Sequence, residues 1–145
     1  MTPTSDRLIN YTETRVKNNI LTYGFRKGEI IPTFRKAIKK TIRGIDQKID
    51  LDFKFTKNKG KADIIIGHGV IPEGATAAAV WTDTRWEIRL PLRLYGDYIF
   101  KHEIGHVLGF EHVDIGTKSL MAPGWNGYSD FSKADLKALR NIWGS

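Results

Sequence analysis

Three of the four histidines in this 145-residue chain fall within one eleven-residue window, His102-Glu103-Ile104-Gly105-His106-Val107-Leu108-Gly109-Phe110-Glu111-His112. No other feature limits the fold so tightly. On a helix, His102 and His106 project from one face about one turn apart, so both rings can reach a single ion at ~2.0–2.1 Å. His112 is too far along for a continuing helix to bring it to the same point. The backbone must turn sharply after Leu108, and Gly109 accepts the left-handed conformation such a turn needs. Three neutral imidazoles with a fourth position open define a catalytic zinc site and not a closed structural one. Glu103 follows the first ligand by one residue, which places its carboxylate beside the ion, able to hold a water and act as general base without ligating.

The rest of the sequence states what must surround this window. The absence of cysteine removes disulfides, thiolate zinc clusters, iron–sulfur sites and cysteine nucleophiles, leaving nitrogen and oxygen as metal donors. With 41% hydrophobic and 27% charged residues, the chain can supply one globular core. Its apolar runs, such as Ile64 to Ile66 and Ala77 to Trp81, fall far below the roughly 20 residues that cross a bilayer, so no membrane association is expected. Met1 to Arg7 lack the features of a secretory signal. The expectation is a protein that is cytoplasmic or non-classically exported, unless the chain has been trimmed.

Residues 1–19 are polar and weakly periodic and read as an N-terminal arm; residues 20–145 read as a single domain. Ile20 to Phe25 suggests a first strand, and Phe34, Ile38, Ile42 and Ile45 form the apolar stripe of a first helix. Ile49 to Phe55 alternates at period two and reads as a half-buried strand, and Ala62 to Gly67 as a strand in the middle of a sheet. Ala77 to Trp81 and Trp86 to Leu90 flank a turn at 82–85. His68 reads as an isolated loop residue after its strand. From Asp97 the period becomes helical, with Phe100, Ile104, Val107 and Leu108 as the buried stripe. Ser132 as N-cap, Asp135 three residues on, and Phe131 placed to staple onto Leu136 announce a last helix, with Leu136, Leu139 and Trp143 apolar.

Charge is unevenly divided. Residues 1–62 carry 15 Lys and Arg against 6 Asp and Glu, whereas 63–145 carry 8 against 10. Much of the excess lies on the first helix, opposite its apolar stripe. We read it as a solvated face, with nucleic-acid contact as the lesser alternative.

The window from His102 to His112, followed by Ser119-Leu120-Met121-Ala122-Pro123, resembles the metzincin zinc endopeptidases, whose pattern continues to a methionine-containing turn. Within that clan the chain is similar to the matrixins, the matrix-metalloproteinase type. The similarity runs from about residue 20 to 144 through Ile20 to Tyr23, Phe34 to Ala37, Ala62 to Ile66, Leu120-Met121-x-Pro123, and Asp135-Leu136 to Trp143-Gly144. It implies an α+β fold: a twisted mixed sheet of about five strands with two helices (about 20–109), a zinc cleft, and a small C-terminal subdomain with a third helix (about 110–145). It further implies Met121 as the hydrophobic floor of the metal site, and a substrate lying along Ala77, Ala78, Ala79 and Val80 and against Pro123, Trp125 and Tyr128.

The departures bear on cofactors. With only His68 left over, a second, structural zinc is not expected, and the thin acidic content between Asp63 and Asp97 makes calcium dependence doubtful. Val113 stands where matrixins usually have serine. Pro123 occupies the place where other metzincins put a tyrosine ligand, so one catalytic Zn2+ held by His102, His106 and His112 is expected. Latency through a propeptide cysteine is impossible, which leaves Asp6 or Glu13 of the arm as candidates to cover the metal. The expected activity is zinc-dependent hydrolysis of peptide bonds in a protein or peptide substrate by a monomer, with Glu103 as base. The alternatives are a catalytically silent metzincin-fold binding module and a basic-surface nucleic-acid binder.

Overall fold

A computed structural model describes residues 19–71, 73–82, 84–92, 97–110, 120–121 and 130–144. Its centre is a five-stranded mixed sheet in the order β2-β1-β3-β5-β4, formed by β1 (Ile20–Phe25), β2 (Asp52–Phe55), β3 (Ile64–His68), β4 (Ala78–Trp81) and β5 (Trp86–Leu90). All neighbours are parallel except β4, which pairs antiparallel with β5 and closes one edge.

Period-two alternation selects the faces. Register sets Tyr23 beside Ile64 and Ile64 beside Trp86, and in the next row Phe25, Ile66 and Ile88. These side chains are buried and, with Leu21 and Leu90, form the sheet's share of the core. On the opposite face, beside the buried Ile65, Glu87 receives Arg26 at 2.9 Å and Arg89 at 3.1 Å. Parallel strands covered on one face only are unusual, and this ion-pair group occupies part of the face that the described helices leave uncovered.

The helices α1 (Pro32–Asp46) and α2 (Asp97–Leu108) pack against each other, α1 also against β2 and α2 against β4 and β5. Pro32 stands at the first turn of α1, where its missing N–H costs nothing, and Ile38, Thr41, Ile42 and Ile45 are its buried side. The helix α3 (Lys133–Trp143) starts at the expected capping box, with Ser132 Oγ accepting from the Asp135 N–H and Asp135 from the Ser132 N–H. No helix among the described residues is long and apolar enough to cross a membrane.

Two local expectations are corrected. The alternation from Ile49 to Phe55 becomes a strand only at Asp52, because Asp50 donates its N–H to the Gly144 carbonyl at 2.8 Å and its carbonyl accepts from the Asn19 side-chain amide at 2.7 Å. Contacts to the far end of the chain thus replace ladder bonds there, while Ile49 and Leu51 stay buried. His68 is the last residue of β3 and not a loop residue: it pairs in register with Leu90, whose carbonyl its Nδ1 meets at 2.9 Å.

Candidate metal centre

The helix α2 is apolar toward the sheet, and its Glu103 meets the edge strand β4 at Ala79. Phe100, Ile104, Val107 and Leu108 are its buried stripe. Gly109 ends it at φ 124°, a value that favours glycine. Its N–H bonds the His106 carbonyl at 3.2 Å and the Phe110 N–H bonds the Gly105 carbonyl at 2.9 Å, the paired bonds of a Schellman end. The reversal carries the Phe110 carbonyl to within 2.8 Å of His106 Nδ1. On the other side of the 111–119 segment, the Leu120 carbonyl stands 2.7 Å from His102 Nδ1.

A carbonyl can only accept, so both Nδ1 atoms carry the hydrogen and, in the neutral imidazoles, both Nε2 atoms present lone pairs. Those Nε2 atoms face each other at 3.2 Å. Two lone pairs at that distance repel unless a proton or a metal ion lies between them. Two nitrogens at ~2.0–2.1 Å from one tetrahedral zinc would stand about 3.3–3.4 Å apart, so the pair is spaced as such an ion requires. The two rings are half-buried, leaving them reachable from outside.

Glu103 is 7% exposed, and the Ala79 N–H of the edge strand donates to its carboxylate. Burial pushes the carboxyl up to about 7, with the Ala79 bond pulling the other way. A cation seated beside it would lower it again. The carboxylate thus sits where α2 meets the edge strand β4.

Beneath the helix, Met121 is fully buried. A Cβ on Gly105 would come within 2.6 Å of its sulfur, so the methionine packs directly on the helix backbone between the two histidines. Ala77 is buried just before β4, and Ala78, Ala79 and Val80 are half-buried on it. His112, Pro123, Trp125 and Tyr128, and with them Asp6 and Glu13 of the arm, lie outside the described residues. Among the described residues no group of three His, Asp or Glu converges on one point.

Neither the two backbone carbonyls that orient the imidazoles nor the Ala79 N–H that meets Glu103 could be foreseen from residue types, because main-chain groups carry no residue signature. Gly105 could have been found: it is the small residue set between the two histidines.

No family model matches the sequence, and no curated protein matches it either. Among solved structures the fold is similar to high choriolytic enzyme 1, a hatching-enzyme zinc protease from the medaka fish Oryzias latipes. The TM-score is 0.58 and the identity 13%, over 86% of this chain and 90% of that chain. What the two share is the fold, which in this chain is an α+β architecture of a mixed five-stranded sheet with three helices among the described residues.

Proposed function

We propose that this protein is a zinc-dependent endopeptidase. The observation that carries the reading is the pair of Nε2 atoms meeting at 3.2 Å, with each Nδ1 pinned to a backbone carbonyl and a buried carboxylate on the same helix turn. His102 and His106 are two ligands, and His112, two residues beyond the Phe110 carbonyl that orients His106, is the third. When bound, zinc supplies Lewis acidity toward a peptide carbonyl and a lowered pKa for water.

The chain's own groups do the rest. Glu103 takes the proton from a water held against its carboxylate and delivers it to the departing amine nitrogen, so no covalent intermediate is needed. The Ala79 N–H keeps that carboxylate turned to the cleft. β4 ends the sheet, and its small residues Ala78, Ala79 and Val80 let an extended peptide approach and add to the edge. Pro123, Trp125 and Tyr128 are the proposed wall of the pocket beyond the scissile bond. Within the metzincins we place the chain beside the matrixins, on Ala62 to Ile66 and Leu120-Met121-x-Pro123.

Zinc content and hydrolysis of a quenched peptide library test this together. The wild type should carry one zinc and cleave. Glu103→Ala should keep the zinc and lose at least about 10²-fold in turnover, the usual worth of a general base. Undiminished cleavage by that variant overturns the role of Glu103. Zinc uptake without cleavage by the wild type would leave a silent binding module, and no zinc uptake overturns the metal site.

A further inference from the structure

The hydrolytic site leaves one charged feature of the molecule unused, the outer face of α1. Arg35, Lys36, Lys39, Lys40 and Arg43 border a hollow of about 460 Å³ whose wall also includes Phe25 and Phe55. Among the described residues none of these five cations forms an ion pair; the pairs that do form join Arg26 and Arg89 to Glu87, and Lys48 and Lys101 to Asp130. On the other flank of α1 lies a second hollow of about 320 Å³, bordered by Lys40, Lys48 and Lys101 with Asp130 as its acidic group. Lys40 borders both. A cationic path therefore crosses the helix from the β2 edge toward α3, with a concavity on each side.

The first hollow holds an exposed aromatic ring. Phe55 is 42% exposed at the end of the edge strand β2, and the Lys39 ammonium sits 3.9 Å from its ring centroid.

We propose that this face binds single-stranded nucleic acid, with phosphates on the α1 cations and a base against Phe55. Three features select that ligand. Arg35, Lys39 and Arg43 recur every fourth residue along about 12 Å of helix, which suits an elongated anion and not a single small one. The linked concavities on either side of the helix admit a flexible chain, whereas a duplex, with a persistence length of about 50 nm, is too stiff to follow them. An aromatic ring beside unpaired cations matches the stacking platform with a charged track that holds unpaired bases, while an acidic peptide or a sulfated glycan has no planar base to place there. On binding, Lys39 leaves the ring for a phosphate and a base takes its place. This inference stands independently of the hydrolytic reading.

Fluorescence anisotropy of a labelled oligothymidylate titrated with the full chain tests it between 50 and 200 mM salt. Five phosphate contacts predict a log–log salt slope of about −3.5. The triple variant Lys36→Gln/Lys39→Gln/Lys40→Gln should lose about two units of that slope. Phe55→Leu should keep the slope and weaken binding by about 5- to 150-fold. Circular dichroism establishes that each variant is folded; if the triple variant does not fold, the wild-type slope and Phe55→Leu still decide. No binding at 50 mM salt overturns the proposal. So does equal or tighter binding of a duplex or of heparin with Phe55→Leu neutral, which would mark a surface that reads charge alone.

Discussion

At Glu103, burial opposes the charged form of the carboxylate. In the metal-free protein its carboxyl titrates at about 7 instead of the ordinary 4.5, chiefly because burial disfavours the charged form. Between those values the folded state binds a proton that the unfolded chain has released, so stability falls as pH rises. The group's contribution is complete below about pH 4.5 and lost once the pH has passed about 7. Integrated over the window, this is on the order of 3 kcal/mol. Glu103→Gln removes the titration and keeps an acceptor for the Ala79 N–H. Urea unfolding of the chelated protein should therefore give nearly equal stabilities for variant and wild type at pH 4.5, and a variant about 2–3 kcal/mol more stable at pH 8. The same difference at both pH values would mean that the carboxylate is hydrated and the site open.

At the scale of the helix, Gly105 and Gly44 make a matched pair. Both are helical; a Cβ on Gly44 meets nothing within 4 Å, whereas one on Gly105 comes within 2.6 Å of Met121 Sδ and 3.1 Å of its Cε. Gly44→Ala should stabilise by about 1 kcal/mol through helix propensity. Gly105→Ala must displace a fully buried methionine, and overpacking of that kind costs about 1–3 kcal/mol. Urea midpoints should accordingly rise for the first variant and stay level or fall for the second; two equal gains would mean that Met121 does not rest on the helix. The elements themselves were largely legible beforehand. α1 and α3 declare themselves by an apolar stripe, by Pro32, and by Ser132 with Asp135, all local signals that tertiary contacts leave intact. The end of α2 was legible in Gly109, since a helix that must stop between His106 and His112, the proposed ligands, needs a residue free to turn. β2 was overread because the partners of Asp50 lie at Asn19 and Gly144, and no periodicity reports a contact across 94 residues. The orienting carbonyls of Phe110 and Leu120 were hidden for a related reason: any residue at those positions supplies the same group.

Across the molecule, α3 acts as a clasp that ties α2 to the start of the sheet. Trp143 donates its indole N–H to the Leu108 carbonyl at 3.1 Å, satisfying an end group of α2. Its own carbonyl accepts from Asn19 at 2.8 Å, and Arg140 reaches the Lys48 carbonyl at 2.9 Å. The two imidazoles in turn hold the Phe110 and Leu120 carbonyls, the flanks of the segment that contains His112. A cation joining His102, His106 and His112 would close this circuit, so its binding energy should raise the stability of the whole described fold and not of α2 alone. At a free zinc concentration about 1,000 times Kd, linkage contributes about 4 kcal/mol. For a chain of this length that corresponds to a rise in Tm of roughly 10–15 °C over the chelated protein. Far-UV and near-UV melts should shift together. Glu103→Ala should retain the shift, because it removes a base and no ligand, and His102→Ala should lose most of it. A shift that survives His102→Ala, or one seen by only one of the two probes, would place the ion elsewhere or confine its effect to a local segment.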